Sequence, residues 1–590
     1  VTHTQWFNAV EAEMYASSMF ITALVVWMTM RWAANHEEPY SERWLVLIAY
    51  LFGIGIGVHL LNLLAIFFIA LIIYFKKYEF SVGSFLTMVG SSVVVFLSIY
   101  PVTIILIPDL AGRIGNITYG LIGPATFVVL IVLGVSFGIY YTQKNGMRIA
   151  NIVLMCYMMI IIGYSSYALV LIRSQASPPI DQNDPSTVEA FVSYLSRDQY
   201  GQSPLFRGNS YDDRTGTIDR NTEVLFPRRH SAQPNHLEYY SRFSSDLDYF
   251  LTYQINHMYL RYLNWNFIGR DADIQDTGWY AGFGETRHAE NPANTPYFFL
   301  PFLLGLFGLI YHFRKDWPRA TAVTALFILT GLAIVIYLNQ TPFEPRERDY
   351  AYVGSFFAFS IWVGIGITAI IDFLKQFSGK NVPAAYAATL LIFLAVPFWM
   401  AVQNWPAHDR SNNYVPRDYA YNLLMSLEEN AIVFTNGDND TFPLWYLQEV
   451  EGIRTDVRVV NLSLLNTDWY IRQLRGQSTH EALPIAIDLT DEEIENMTSS
   501  LELHEPGDVV IPVDKELLRS VFEATPDQLE DSTSTLYQSL SAEGSLQINE
   551  MIFNQLRMAT PFSMPVDSLD NEVRFYVEGR FAGRDSRGNP

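Results

Sequence analysis

Ten apolar stretches run through the first two-thirds of the chain, at about 13–31, 44–58, 60–75, 84–106, 118–140, 149–172, 297–313, 319–338, 351–373 and 384–402. Most have the ~17–25 residues needed to cross a bilayer core as a helix. The stretch from Trp44 to Tyr74 is too long for one helix and slightly short for two, with His59 and Asn62 near its middle. It reads as a tight helical hairpin.

The loops between these stretches alternate in Lys/Arg content. Arg31 with Arg43, Lys76 with Lys77, Lys144 with Arg148, Arg314 with Lys315 and Arg319, and Lys375 with Lys380 occupy every second loop. Basic loops stay cytoplasmic. The chain start, the turn at His59, the loop around Asp109–Thr118, the segment 173–296, the loop 339–350 and everything after about 403 then lie on the other side. A single helix from Trp44 to Tyr74 would flip every later loop and destroy the alternation, so the charges favour two.

The expected architecture is an α-helical polytopic bundle with an extracytoplasmic α/β soluble domain. Residues 1–172 form a membrane half with six spans, 173–296 a long extracytoplasmic loop, 297–402 four further spans, and 403–590 the soluble domain. A loop as long as 173–296 is usually functional; its aromatic tail, Tyr249–Ile268, suits the membrane face. From 403 onward there are 13 Lys/Arg against 32 Asp/Glu, a net of −19. So acidic a domain argues against nucleic acid and against adhesion to anionic lipid. The lone cysteine, Cys156, falls inside an expected span, so the extracytoplasmic parts carry no disulfide. Ala431–Thr435 and Val457–Leu465 read as strands, and Phe442–Val450 and Thr467–Arg475 as helices. That order suggests a small parallel sheet. The acidic, Ser/Thr-rich stretch 485–550 fits no element.

Four groups of residues could carry chemistry. Glu11 and Glu13 sit at the outer mouth of the first span. Carboxylates at membrane depth usually face a cavity or a partner, and one could act as a general base. At i and i+2 only one faces a given cavity, and both could simply complement a helix dipole. His59 and Asn62, three apart on one helical face, could bind a sugar or phosphate, or hold the hairpin by interhelical hydrogen bonds. Pro345-Arg346-Glu347-Arg348-Asp349-Tyr350 precedes a span on the side that disfavours Arg. Arg346 and Arg348 suit a lipid-linked phosphate, and an internal ion-pair network would serve equally. Asn436, Asp438 and Asp440 follow the first strand of the soluble domain, where α/β sheets bind ligands. They offer hard oxygen ligands to a divalent cation, or form a turn with Asp440 or Thr441 capping the next helix. There is no His/Cys zinc spacing and no Walker loop, and the identity of any metal stays open.

Val10-Glu11-Ala12-Glu13-x-Tyr15, Gly57-Val58-His59-Leu60-Leu61-Asn62-Leu63-Leu64, Gly163-Tyr164-Ser165-Ser166-Tyr167, Pro345 to Tyr352 and Thr435 to Tyr446 together resemble the bacterial protein O-mannosyltransferase-like membrane family, also labelled glycosyltransferase family 117. The resemblance covers nearly the whole chain in order. It implies a GT-C-type bundle in the inner membrane of a Gram-negative bacterium, with the long loop and C-terminal domain in the periplasm. It also implies sugar transfer from a polyprenyl-phosphate donor to an envelope protein or glycan, with Glu11 or Glu13 and His59 with Asn62 lining one cavity, Arg346 or Arg348 stabilising the leaving phosphate, and Asp349 and Tyr350 beside them at the donor. The family's Asp-Cys-Gly-Glu-Phe motif, whose Asp is the expected base, is absent here, as are about three N-terminal spans. Gly579 to Asp585 resembles the middle of the family's tail. The chain therefore reads as a piece cut at both ends. Two rival functions fit less of the sequence: a non-enzymatic scaffold for envelope protein export or assembly, and a lipid-linked-sugar flippase, which the unequal halves disfavour.

Overall fold

The structure is a computed structural model that describes residues 2–11, 13–118, 123–196, 203–378, 382–494, 507–512 and 572–577. The chain divides into two units, Val1–Tyr414 and Val415–Pro590. The stretch 485–550 falls largely outside the described residues, and Gly579 to Asp585 wholly so.

Unit Val1–Tyr414 is a helical bundle. Among the described residues seven helices are long and apolar enough to cross a membrane: Leu60–Lys77, Val82–Ile117, Pro124–Lys144, Arg148–Ser174, Leu300–Leu338, Asp349–Lys375 and Ala387–His408. This makes the chain a multi-pass membrane protein. The expected ten is not reached, for three reasons. Helix α1 (His3–Val10) and helix α2 (Met14–Ala34) meet at a 119° bend and reach the span criteria only as a pair, which would give eight. Helix α3 (Arg43–Val58) is apolar but only 16 residues long. The stretches 297–313 and 319–338 run together in one 39-residue helical segment, which leaves helical geometry at Asp316 (φ −150°, ψ 68°), just before Pro318. Pro318 has no N–H to donate and its ring crowds the carbonyl four residues back, so the helix breaks within the turn before it.

Glycines set two of the closest helix contacts. A Cβ on Gly53 of α3 would lie 2.4 Å from the Ile160 carbonyl oxygen, and one on Gly163 2.4 Å from that of Tyr50. Likewise a Cβ on Gly308 would lie 1.9 Å from the Trp362 carbonyl oxygen, and one on Gly366 2.2 Å from that of Leu304. Small residues let helix backbones approach where lipid supplies no hydrophobic drive.

The tail of the long loop packs aromatic rings into the core of the bundle. It is helical through Asp246–Tyr249, Phe250–Leu260 and Arg261–Phe267. Tyr259, Tyr262, Trp265 and Phe267 are buried in one core with Trp32, Phe68, Leu326, Tyr352 and Phe356. Their polar atoms find partners inside: Tyr262 Oη donates to Glu347 at 2.6 Å and Trp265 Nε1 to the Gly278 carbonyl at 2.9 Å. Amphipathic rings are as suited to such a core as to a bilayer surface.

In unit Val415–Pro590, strands Ile432–Thr435 and Arg458–Asn461 pair in parallel, Ile432 opposite Arg458 and Thr435 opposite Asn461. Helix Asp438–Tyr446 lies between them in sequence, and its Leu444 joins Leu424, Leu447, Val457 and Val459 in the core. Helix Asp468–Gly476 follows, with Tyr470 and Leu474 on Val460. Strands Gly507–Pro512 and Glu572–Val577 form an antiparallel pair.

Candidate functional site

Three segments converge beside the bend between α1 and α2: the start of α2, the end of α3, and the residues leading into helix Val353–Ser378. Tyr15, in the first turn of α2, packs its ring 5.1 Å from His59 and 4.5 Å from Tyr350. The Arg346 guanidinium lies 5.1 Å above the Tyr350 ring and 3.2 Å from Glu13 Oε1. Arg348 donates to the Tyr350 hydroxyl at 2.5 Å. A cation over an aromatic face gains from the ring quadrupole, so Tyr350 ties both arginines to the aromatic cluster. Below it lies a small cavity lined by Tyr15, Ser18, Thr22, Leu61, Thr330 and Gly354.

The expected site residues divide. Glu13, His59, Arg346, Arg348 and Tyr350 come together. Glu11 does not: it sits on the other flank of the bend, 3.2 Å from Arg410 Nη2. The two carboxylates therefore reach different partners; both are extended residues, Glu11 closing α1 and Glu13 opening α2, so the bend and not a helical i, i+2 spacing separates them.

His59 and Asn62 do not share a helical face. His59 is extended (φ −162°, ψ 137°) and ends α3, while Asn62 lies in the 3-10 turn Leu60–Leu64. His59 Nδ1 accepts from the Leu61 N–H at 3.1 Å. Asn62 is buried and occupied: its oxygen accepts from Thr22 at 2.6 Å, and its amide donates to Ser18, the Gly55 carbonyl and the His59 carbonyl at 3.0, 2.8 and 3.0 Å. It joins α2 to α3, which is the hairpin-holding alternative.

Asp349 also turns inward. It is 8% exposed, and its carboxylate accepts from the Thr4 hydroxyl at 2.5 Å. Asn266 completes that junction, accepting from the Thr4 N–H at 3.0 Å and donating to its hydroxyl at 2.9 Å. Asp349 thus anchors α1.

Glu347 is bound by Arg261 at 2.8 Å, by Tyr262 Oη at 2.6 Å and by the Asp276 N–H at 2.7 Å. Burial alone would raise its pKa, but these donors outweigh burial and hold the carboxyl below its ordinary range. Arg348 is engaged by Glu344, at 3.0 Å through Nε and 2.8 Å through Nη2. Of the charged run, Arg346 alone stays open, with its side chain 60% exposed.

Sequence reasoning passed over Glu344 and Arg410, and quoted Tyr15 in a motif without giving it a role in the site. Arg410 carries the same signal as Arg346, an arginine just past a span on the side that disfavours it. Glu344 lies four residues before Arg348, but on a non-helical segment, where that spacing says nothing.

The loop of the second unit takes the capping alternative. Asp440 accepts from the Asn436 and Gly437 N–H groups at 2.8 and 2.9 Å. Burial would raise its pKa, and these two donors bring it below its usual value. Thr435, Thr441 and Asn461 form a buried network behind it. Asn436 and Asp438 remain at the surface. Among the described residues no group of three or more His, Cys, Asp or Glu is arranged to hold a metal ion.

Comparison with known proteins points one way. Residues 1–82 match the family described as "Protein O-mannosyl-transferase TMEM260 N-terminal domain", and residues 416–563 match "TMEM260-associated domain 2". The chain is 27% identical over 187 residues to "Protein O-mannosyl-transferase tmem260" of Dictyostelium discoideum, which covers 28% of this chain and 23% of that protein. It is 32% identical over 87 residues to "Protein O-mannosyl-transferase TMEM260" of Mus musculus, covering 14% of this chain and 12% of the mouse protein. The chain thus spans under a quarter of either curated relative. No solved structure matches.

Proposed function

We propose that this chain is part of a membrane glycosyltransferase that moves a sugar from a polyprenyl-phosphate donor to a hydroxyl of a protein or glycan. Similarity of residues 1–82 to an O-mannosyl-transferase N-terminal domain, and of the chain to two relatives of that name, supports transferase chemistry. The observation that carries the site is Arg346: an exposed guanidinium over Tyr350, beside Glu13, His59 and Tyr15. In this proposal the span ends bearing Tyr15, His59 and Arg346 face the extracytoplasmic side of a bacterial inner membrane; the charge alternation and the resemblance to the bacterial family support it.

In this reading the acceptor oxygen forms a bond to the anomeric carbon as the bond from that carbon to the phosphate oxygen breaks. The electron pair leaves with the polyprenyl phosphate, and Arg346 offsets the developing charge. The acceptor proton passes to a carboxylate. Glu13 is the one this chain brings to the cluster, and its 3.2 Å contact with Arg346 is exchanged for phosphate when donor binds. Arg348, held by Glu344, positions Tyr350.

The test is transfer of labelled mannose from polyprenyl-phosphate mannose to envelope proteins by the purified full-length gene product. Arg346→Ala should lower transfer by about 100-fold, with the protein intact. Unchanged transfer would remove Arg346 from the mechanism. Absence of transfer from any polyprenyl-phosphate sugar by folded protein would overturn the enzyme reading in favour of a scaffold.

A further inference from the structure

At the opposite, basic ends of two helices lies a feature unrelated to this site. Helices α3 and Arg148–Tyr164 are closest at Gly53 and Gly163. Between their charged ends is an open groove of about 650 Å³, walled by Val46, Leu47, Tyr50, Ile152, Met155 and Met159. Its mouth is formed by Tyr40, Glu42, Arg43 and Arg148.

The mouth is net positive. Arg148 is bonded to Glu42, and Lys77 adds its field at the same carboxylate. Arg43 is exposed and makes no ion pair among the described residues. Two cations, Arg43 and Arg148, therefore line the mouth with one anion, Glu42, where the groove opens at the level of the basic loops. Tyr40, 82% exposed with φ 63°, stands at the rim. An apolar trough between spans, closed at its cytoplasmic end by surplus positive charge, matches the two halves of an anionic lipid. Basic pockets of this kind hold phosphorylated headgroups, and a guanidinium engages a phosphate through two parallel N–H donors.

We propose that this groove binds an anionic phospholipid of the cytoplasmic leaflet, an acyl chain lying along Leu47, Tyr50, Ile152 and Met155 and the headgroup phosphate held by Arg43 and Arg148. The groove gives the membrane half a structural lipid at the joint between α3 and its neighbour, independent of any sugar transfer.

Native mass spectrometry of the full-length protein, equilibrated with equal phosphatidylglycerol and phosphatidylethanolamine, tests this without any activity. Wild type should retain phosphatidylglycerol in roughly 10-fold preference. Arg43→Glu with Arg148→Glu should abolish the preference, whereas Lys315→Glu, in another basic loop, should keep it. Leu47→Trp with Met155→Trp fills the trough while leaving the charges, and should lower total retained lipid. This second variant keeps the proposal falsifiable if charge reversal impairs folding. A wild type that shows no preference, or a preference unchanged in both groove variants, would overturn it.

Discussion

The segment 344–352 and the loop 436–440 look alike in sequence: each packs Asp, Glu, Arg or Asn at high density beside an apolar element. They resolve differently. In the loop, Asp440 closes onto two N–H groups at the start of its own helix, a contact spanning four residues or fewer. In the segment, Glu347 and Asp349 reach partners 86 and 345 residues away, and Arg346 is left facing out. A local charge run satisfies the backbone; a run tied to distant elements can afford to present one group elsewhere. Charge density alone does not separate the two cases; the sequence distance to each partner does.

The contrast can be broken most sharply by paired substitutions. Arg346→Ala should cost about 100-fold in transfer with little change in thermal stability, while Asp440→Ala should leave transfer intact; equal loss in both would erase the distinction. Glu347→Ala leaves Arg261 buried without its carboxylate and should destabilise the membrane unit by about 3 kcal/mol, read as an earlier thermal transition in detergent. Asp440→Ala removes a cap and should cost about 1 kcal/mol in its own unit, measurable by hydrogen exchange at the Asn436 and Gly437 amides. Asp438→Asn, at an exposed position, should change nothing measurable in either assay.

The pH dependence sharpens the same comparison. The Glu347 carboxyl is depressed below its unfolded value of 4.5, so its contribution is complete above that pH and is lost as pH falls through the folded value. Acid titration of thermal stability should show this loss below about pH 4.5, and Glu347→Gln should flatten the curve in that window. An unchanged curve would show that the Arg261–Glu347 contact adds no pH-dependent stability.

The helices were legible because apolar length and basic punctuation are local properties: Arg148–Ser174 sits near the stretch read from sequence, whereas Val82–Ile117 overruns the stretch 84–106 and is helical through most of the expected loop Asp109–Thr118. The parallel pair Ile432–Thr435 and Arg458–Asn461 was legible for the same reason. The count of spans was not, because Asp316 interrupts a helical segment without ending it and α3 is short. Membership of the candidate site was only half legible. Asn62 and Asp349 are polar groups near the membrane whose partners, Thr22 and Thr4, lie far away in sequence. His59 looked helical because its neighbours are apolar, yet it adopts the extended geometry that ends α3. The tail at 249–268 looked like a surface because it is aromatic, and its hydroxyl partners became visible only in three dimensions.

The bend between α1 and α2 has a consequence for how the protein is made. Glu13 waits for Arg346, 333 residues later, Glu11 for Arg410, 399 later, and His408 meets the His3 carbonyl across 405. At ribosomal speed these partners emerge on the order of tens of seconds after the residues they fix. The corner at this bend is therefore among the last parts of its unit to close. A nascent chain released early would present that corner open and acidic, with Glu11 and Glu13 both unmet by Arg410 and Arg346.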